Sequence, residues 1–311
     1  MRRQPKPGHS SRAGRFLLSA AVGLVAFAMA QAALAAPITF STALPVPKGE
    51  WIVRIQSRYL RSTDDPSSLD RELDVFAFPV VGVYGATQKL ALFAIAPILD
   101  KDLDITTPLG RRTRSVSGLG DVTLLARYTA YQRDAKGKTF RVAPFVAVEA
   151  PTGEDGERDA LGELPRPLQL GSGSWDVTFG TVVTRQTLAW QVDAALSYKA
   201  NTEAKEFEFG DVARLDLSYQ RRLWPQELGE GVPAFLYGVL ESNLVWSDHN
   251  VAAGRRDPDS GGTTWHLAPG VQYVTRRFVV EGAVQIPVVQ DLNGQALEND
   301  FVTTLSVRVN F

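Results

Sequence analysis

The stretch FVTTLSVRVNF, residues 301–311, sorts into two alternating sets. Phe301, Thr303, Leu305, Val307, Val309 and Phe311 make one set; Val302, Thr304, Ser306, Arg308 and Asn310 make the other. A period of two puts the sets on opposite faces of a β-strand. One face is apolar and ends in an aromatic ring, while the other is mostly polar and carries an arginine. A strand of a soluble sandwich can show the same pattern, so the reading turns on the rest of the chain.

Working back from this strand, eleven further strands are expected, at about 50–60, 73–84, 90–99, 118–128, 139–150, from 174, 190–199, 211–223, 234–246, 263–274 and 278–287. The cleanest sets Trp190, Val192, Ala194, Leu196 and Tyr198 against Gln191, Asp193, Ser197 and Lys199. The connections alternate in length. Short links follow the even-numbered strands, and long polar loops, including 100–117 and 151–173, follow the odd ones. Whether loop 151–173 folds inward is left open at this stage. The six tryptophans fall at strand ends. Trp51, Trp190 and Trp224 belong to the short-turn end and Trp175, Trp246 and Trp265 to the long-loop end. Trp is favoured at a membrane–water interface because its ring is apolar and its N–H seeks a partner. An even strand count, alternating connection lengths and tryptophan girdles together predict an all-β fold, a transmembrane antiparallel up-and-down β-barrel of about 12 strands. The terminal Phe311 resembles the closing aromatic of bacterial outer-membrane barrels, which serves there as an assembly signal.

The N-terminal segment agrees. Arg2, Arg3, Lys6, Arg12 and Arg15 precede an apolar run, 16–30, and then Ala33-Leu34-Ala35. This is the layout of a secretory signal peptide, expected to span 1–35 with cleavage after Ala35. A proline-bearing segment, 36–49, is expected as a periplasmic lead-in, and 50–311 as the barrel. Cleavage leaves 28 basic against 34 acidic residues, a balance of −6. No basic stripe remains, so no nucleic-acid partner is expected. The absence of cysteine excludes disulfides, thiolate metal sites and a lipid-modified N-terminal cysteine, and suits an oxidising compartment.

The polar strand faces supply candidate lumen residues: Arg54, Arg58, Asp121, Arg127, Asp193 and Lys199 from the first half, and Arg214, Asp216, Glu241, His266, Glu281 and Arg308 from the second. Such mixed charges either screen permeants or pair with one another and stiffen the bore. Catalysis is not expected. Only His249 and His266 survive signal cleavage, and neither lies in a His-x-Ser pairing or a Gly-x-Ser-x-Gly elbow. No EF-hand spacing is present, and no metal or cofactor is expected.

Three segments carry a family resemblance. These are Ser117-Gly-Leu-Gly-Asp121 leading into 122–128, Pro151-Thr-Gly-Glu154 with Leu170-Gly-Ser-Gly-Ser-Trp-Asp176, and Pro269-Gly-Val-Gln-Tyr273 with the terminal Phe311. Together they resemble the outer-membrane family named for the MetA pathway of phenol degradation. The resemblance implies an outer-membrane protein that passes small hydrophobic molecules, and it transfers no binding residue. Physically, Gly118 and Gly120 allow a tight entry into a strand, and Asp121 is placed to cap backbone N–H groups. The expectation is therefore a bacterial outer-membrane channel for passive uptake of small hydrophobic or aromatic compounds. Its partners would be outer-membrane lipid, a small-molecule permeant and, during biogenesis, the barrel-assembly machinery. The alternatives are a closed structural or adhesive barrel and, further off, a barrel lipid hydrolase.

Overall fold

The computed structural model describes residues 35–108, 110–228 and 234–311. The expected signal segment therefore lies outside the described residues, Ala35 excepted. Twelve antiparallel strands form a closed barrel. They are β1 (Trp51–Ser62), β2 (Glu72–Gly85), β3 (Leu90–Thr107), β4 in two runs (Gly110–Leu119 and Val122–Tyr128), β5 (Lys138–Ala150) and β6 (Asp176–Thr187). The second half comprises β7 (Trp190–Ala200), β8 (Val212–Trp224), β9 (Ala234–Ser247), β10 (Gly262–Thr275), β11 (Phe278–Leu292) and β12 (Phe301–Asn310). Each strand pairs with its sequence neighbour, and β12 closes on β1 with Arg54 opposite Arg308. Phe311 and Trp51 exchange two backbone hydrogen bonds of 2.8 and 3.1 Å at the seam. Closure leaves no barrel edge unpaired, which a lipid environment demands.

Solvation dictates which residues face which way. Along β8, Leu215, Leu217 and Tyr219 are exposed while Asp216, Ser218 and Gln220 are buried. In β12 the outward Leu305 is 66% exposed and the inward Ser306 only 4%. Gln191, Gln220, Gln272, Glu241 and Asn243 are among the largest fully buried side chains. A soluble domain would reverse this; an apolar exterior over a polar interior is the pattern of a membrane barrel. Trp51, Trp175, Trp224, Trp246 and Trp265 are exposed at the two rims, and Trp190 is half-covered, with the Arg185 guanidinium 5.5 Å from its ring.

Two expectations need correction. Residues 100–117, expected as a long polar loop, are paired backbone: β3 runs on to Thr107 and meets the first run of β4, with Asp104 opposite Thr113. On the outward face of β3 the exposed residue changes from Ile98 to Asp100. Beyond that point the outward face is polar and wetted, and the inward face mixes Lys101 with Leu103, so the ladder continues without a regular apolar set to reveal it. The second correction is to the lead-in. Residues 35–47 do not trail in the periplasm but lie inside the barrel, with Ile38, Ala43, Leu44 and Val46 buried. The barrel wall satisfies backbone groups there that water would otherwise have to meet.

Candidate functional site

The bore is built around that N-terminal segment. Pro37, Pro45 and Pro47 have no N–H to satisfy, and the wall meets much of the remaining backbone. Glu241 accepts from the Ile38 and Thr39 N–H groups at 2.7 and 2.9 Å and from the Thr39 hydroxyl at 2.5 Å. Thr184 accepts from the Ala43 N–H at 2.8 Å, and the Thr42 hydroxyl donates to Asp193 at 3.0 Å. Gln272 donates to the Ala36 carbonyl. Apolar contacts complete the seating: Ile38 on Val239 and Ala283, Ala43 on Ala143, Val182 and Ala195, and Val46 on Val83 and Ala91. The segment thus crosses from the β9–β11 wall past β5–β7 to β2–β3. Gly85 permits its exit, because a β-carbon there would sit 2.0 Å from the Pro47 carbonyl oxygen.

The sequence-selected charges occupy several distinct settings. Arg54 donates to Glu281 at 2.5 Å, to the Ile38 carbonyl at 2.6 Å and to Ser306 at 3.0 Å. Glu281 also accepts from Gln272 at 2.7 Å and from Ser306 at 3.0 Å. Arg127 donates to the Ser41 hydroxyl at 2.5 Å and to the Thr42 and Leu44 carbonyls, and stands over the Phe93 ring. Asp193 is buried among Thr42, Thr184, Gln191 and Gln220. Lys199 bridges Glu149 at 2.8 Å and Asp176 at 3.2 Å, and Arg214 meets Asp216 at 3.3 Å. Arg308 lines the bore beside Arg54. His266 is buried, its Nε2 without a hydrogen-bond partner among the described residues. Arg58 makes no hydrogen bond or ion pair with the described residues, and its side chain is exposed to space inside the barrel.

Cavities open at both ends of the bore. At the long-loop end a vestibule of about 700 Å³ is lined in part by Lys101, Lys199, Gln169 and Leu170. One wall is loop 151–173, which folds inward. Its Leu164, Leu168 and Leu170 pack on Val116, with Leu73, Leu99 and Leu103 alongside. Lys101 donates to the Pro167 and Gln169 carbonyls at 3.1 and 2.6 Å. Burial pulls this ammonium down to about 8, with Asp121 opposing the shift. Asp121, selected as a lumen residue, joins the first two sequence motifs of the resemblance. Its carboxylate accepts from the Gly153 N–H at 2.9 Å and from the Ser172 N–H and hydroxyl at 2.6 and 3.0 Å. Gly153 and Gly171 pass so closely that a β-carbon on Gly153 would lie 2.8 Å from the Gly171 nitrogen. At the short-turn end a second cavity of about 410 Å³ lies between the N-terminal segment and the wall formed by β12 and β1–β4.

Sequence reasoning missed Ile38, Thr39 and Thr42, which fill the bore, and Thr184, Gln191 and Gln220, which hold them or their partners. These neutral side chains carry no charge to draw attention. Gly85, at the end of a strand, is the one mark in the sequence of the close approach to Pro47, and nothing in the sequence ties it to that segment. The His249 Nδ1–H donates to the Asp257 carbonyl, 2.9 Å away, in an outer loop. Among the described residues no group of three or more His, Cys, Asp or Glu side chains could hold a metal ion.

The sequence model of the family described as "Putative MetA-pathway of phenol degradation" matches residues 60–286, well over half of the 311-residue chain. The chain belongs to this family. In fold it is similar to the COG4313 outer membrane channel from Pseudomonas putida F1, with 17% identity and a TM-score of 0.65, over 86% of this chain and 98% of that one. It is also similar, more distantly, to the β domain of the Bordetella autotransporter BrkA, with 14% identity and a TM-score of 0.46, over 85% of this chain and all of that one. No curated protein matches it in sequence. This member of the family is a closed β-barrel with the apolar exterior that a membrane-spanning barrel requires.

Proposed function

We propose that the barrel is a passive channel admitting small hydrophobic or aromatic compounds across the outer membrane, and that it is not an enzyme. One observation carries this reading. Within a bore whose buried side chains are largely polar, the cavity at the short-turn end is walled by Pro79, Val81, Phe93, Ile95 and Leu125. An apolar recess with a few polar groups is the usual make-up of a small-molecule site. The vestibule supplies an entrance on the side of the long loops. The family's association with phenol degradation and the likeness to a solved outer-membrane channel support the same reading. The bore's charges argue against a purely apolar duct, so permeants that bear a polar group are favoured.

The test is flux through the refolded mature protein in liposomes, comparing a small phenolic acid with a sugar of similar size. Faster entry of the phenolic acid is expected. Equal entry of both would make the barrel a general pore. Entry no faster than into empty liposomes, with the barrel shown to be folded, would favour the closed structural or adhesive reading. The seating of residues 35–47 across the bore is the observation that keeps this second reading in play.

A further inference from the structure

We infer that the cavity at the short-turn end is a binding site for a small aromatic carboxylate, with Arg58 holding the anionic group and the β2–β4 wall holding the ring. The inference rests on the channel reading only in that the ligand reaches the cavity through the bore. Four guanidinium groups line the cavity, those of Arg54, Arg58, Arg127 and Arg308, against one carboxylate, that of Glu50. Three of the four are engaged, Arg308 with the charge of Glu281. Arg54 is matched by Glu281 at 2.5 Å, and Arg127 is spent on the Ser41 hydroxyl and on carbonyls of the N-terminal segment. Arg58 stands apart. It has no hydrogen bond or ion pair with the described residues, and the charges that act on it, Arg214 and Arg54, have its own sign.

A cation in a bore surrounded by lipid and facing like charges is costly unless an anion meets it. The planar guanidinium fork matches a carboxylate with two parallel hydrogen bonds. The same cavity is lined by apolar side chains two strands away, Phe93 and Ile95 among them. A neutral phenol would use the wall and leave Arg58 unmatched. A small inorganic anion would match Arg58 and leave the wall wetted. An aromatic carboxylate satisfies both, and about 410 Å³ is ample for a single ring.

The experiment is calorimetric titration of the folded mature protein in detergent, in a chloride-free buffer, with benzoate, benzamide and acetate. Benzoate is expected to bind at least about tenfold more tightly than either of the others, the size of effect a charge-assisted pair gives. Arg58→Gln should weaken benzoate roughly tenfold and leave benzamide unchanged. Phe93→Ala, the second variant, should weaken benzoate and leave acetate unchanged. Benzamide binding as tightly as benzoate would reduce the site to an apolar one, and acetate doing so would reduce it to a plain anion site. Either result, no benzoate binding at all, or indifference of benzoate to both substitutions overturns the inference. Binding without liposome flux would sink the channel and leave this site standing; flux without binding would do the reverse.

Discussion

Asp121 shows how much one carboxylate organises. It stands between the two runs of β4 and ties Gly153 and Ser172 to the strand, so the inward fold of loop 151–173 starts and ends on it. Thr152 adds a reciprocal pair, accepting from the Val122 N–H at 2.8 Å and donating to the Gly120 carbonyl at 3.1 Å. Asp121→Asn keeps the shape but offers one acceptor oxygen where two serve, and turns an N–H₂ towards donors. A local loss of about 1–3 kcal/mol is expected, the cost of unmet buried hydrogen bonds. Hydrogen exchange should report it as faster exchange at the Gly153 and Ser172 amides, with the barrel strands unchanged. Unaltered protection at both amides would show that the glycine packing alone holds the loop. The sequence shows that Asp121 follows two glycines at a strand start. It does not show that the groups it caps come from segments about thirty and fifty residues away, because only the fold brings them together.

At the scale of the element, the decisive piece is the segment 35–47. It has no helical or strand periodicity, and its prolines mark it as a linker. It lies inside because the barrel wall presents acceptors at the right heights, Glu241 foremost. Glu241→Gln leaves one oxygen for the Ile38 and Thr39 donors, and charge-assisted bonds of this kind are each worth about 1.5–3 kcal/mol. The segment should then leave its seat for part of the time. In the liposome assay, entry of both the phenolic acid and the sugar should rise several-fold, with discrimination between them reduced. Unchanged flux through a folded Glu241→Gln barrel would mean that the segment does not limit passage. The extension formed by β3 and β4 teaches the complementary lesson. Its pairing is regular, yet Asp100, Asp102 and Asp104 alternate with Lys101 and Leu103 where no lipid face demands apolar residues. Pattern reading detects a strand through the environment of its faces, and where the outward face meets water and the inward face meets a folded loop that signal is absent.

For the whole molecule, the organising fact is the inversion of inside and outside. The exterior carries Leu305, Val307, Leu215 and Leu217 to lipid, while the interior is a lattice of amide, hydroxyl and carboxylate groups. Leu305, at the middle of β12, tests this directly. Leu305→Arg should cost about 2–4 kcal/mol of folding stability in a bilayer, the expected penalty for arginine near the midplane of a barrel's lipid face. Denaturant unfolding from lipid vesicles reads it. A loss of less than about half a kcal/mol, the usual bound for a neutral surface change, would place this face in water instead.

The sequence by itself determined the class of fold, the strand count and the sorting of residues between lipid and bore. Those features depend on local alternation and on the lengths of connections, and both are properties of neighbouring residues. Tertiary structure alone decided what fills the bore. That Ile38 meets Glu241 and that Asp121 meets Ser172 are contacts between segments far apart in the chain, and the gathering of Arg58 and Phe93 around one cavity likewise joins separate strands. Closing the barrel sets those distances, and residues that are polar, neutral or proline-rich carry no periodic mark of the partner they will find.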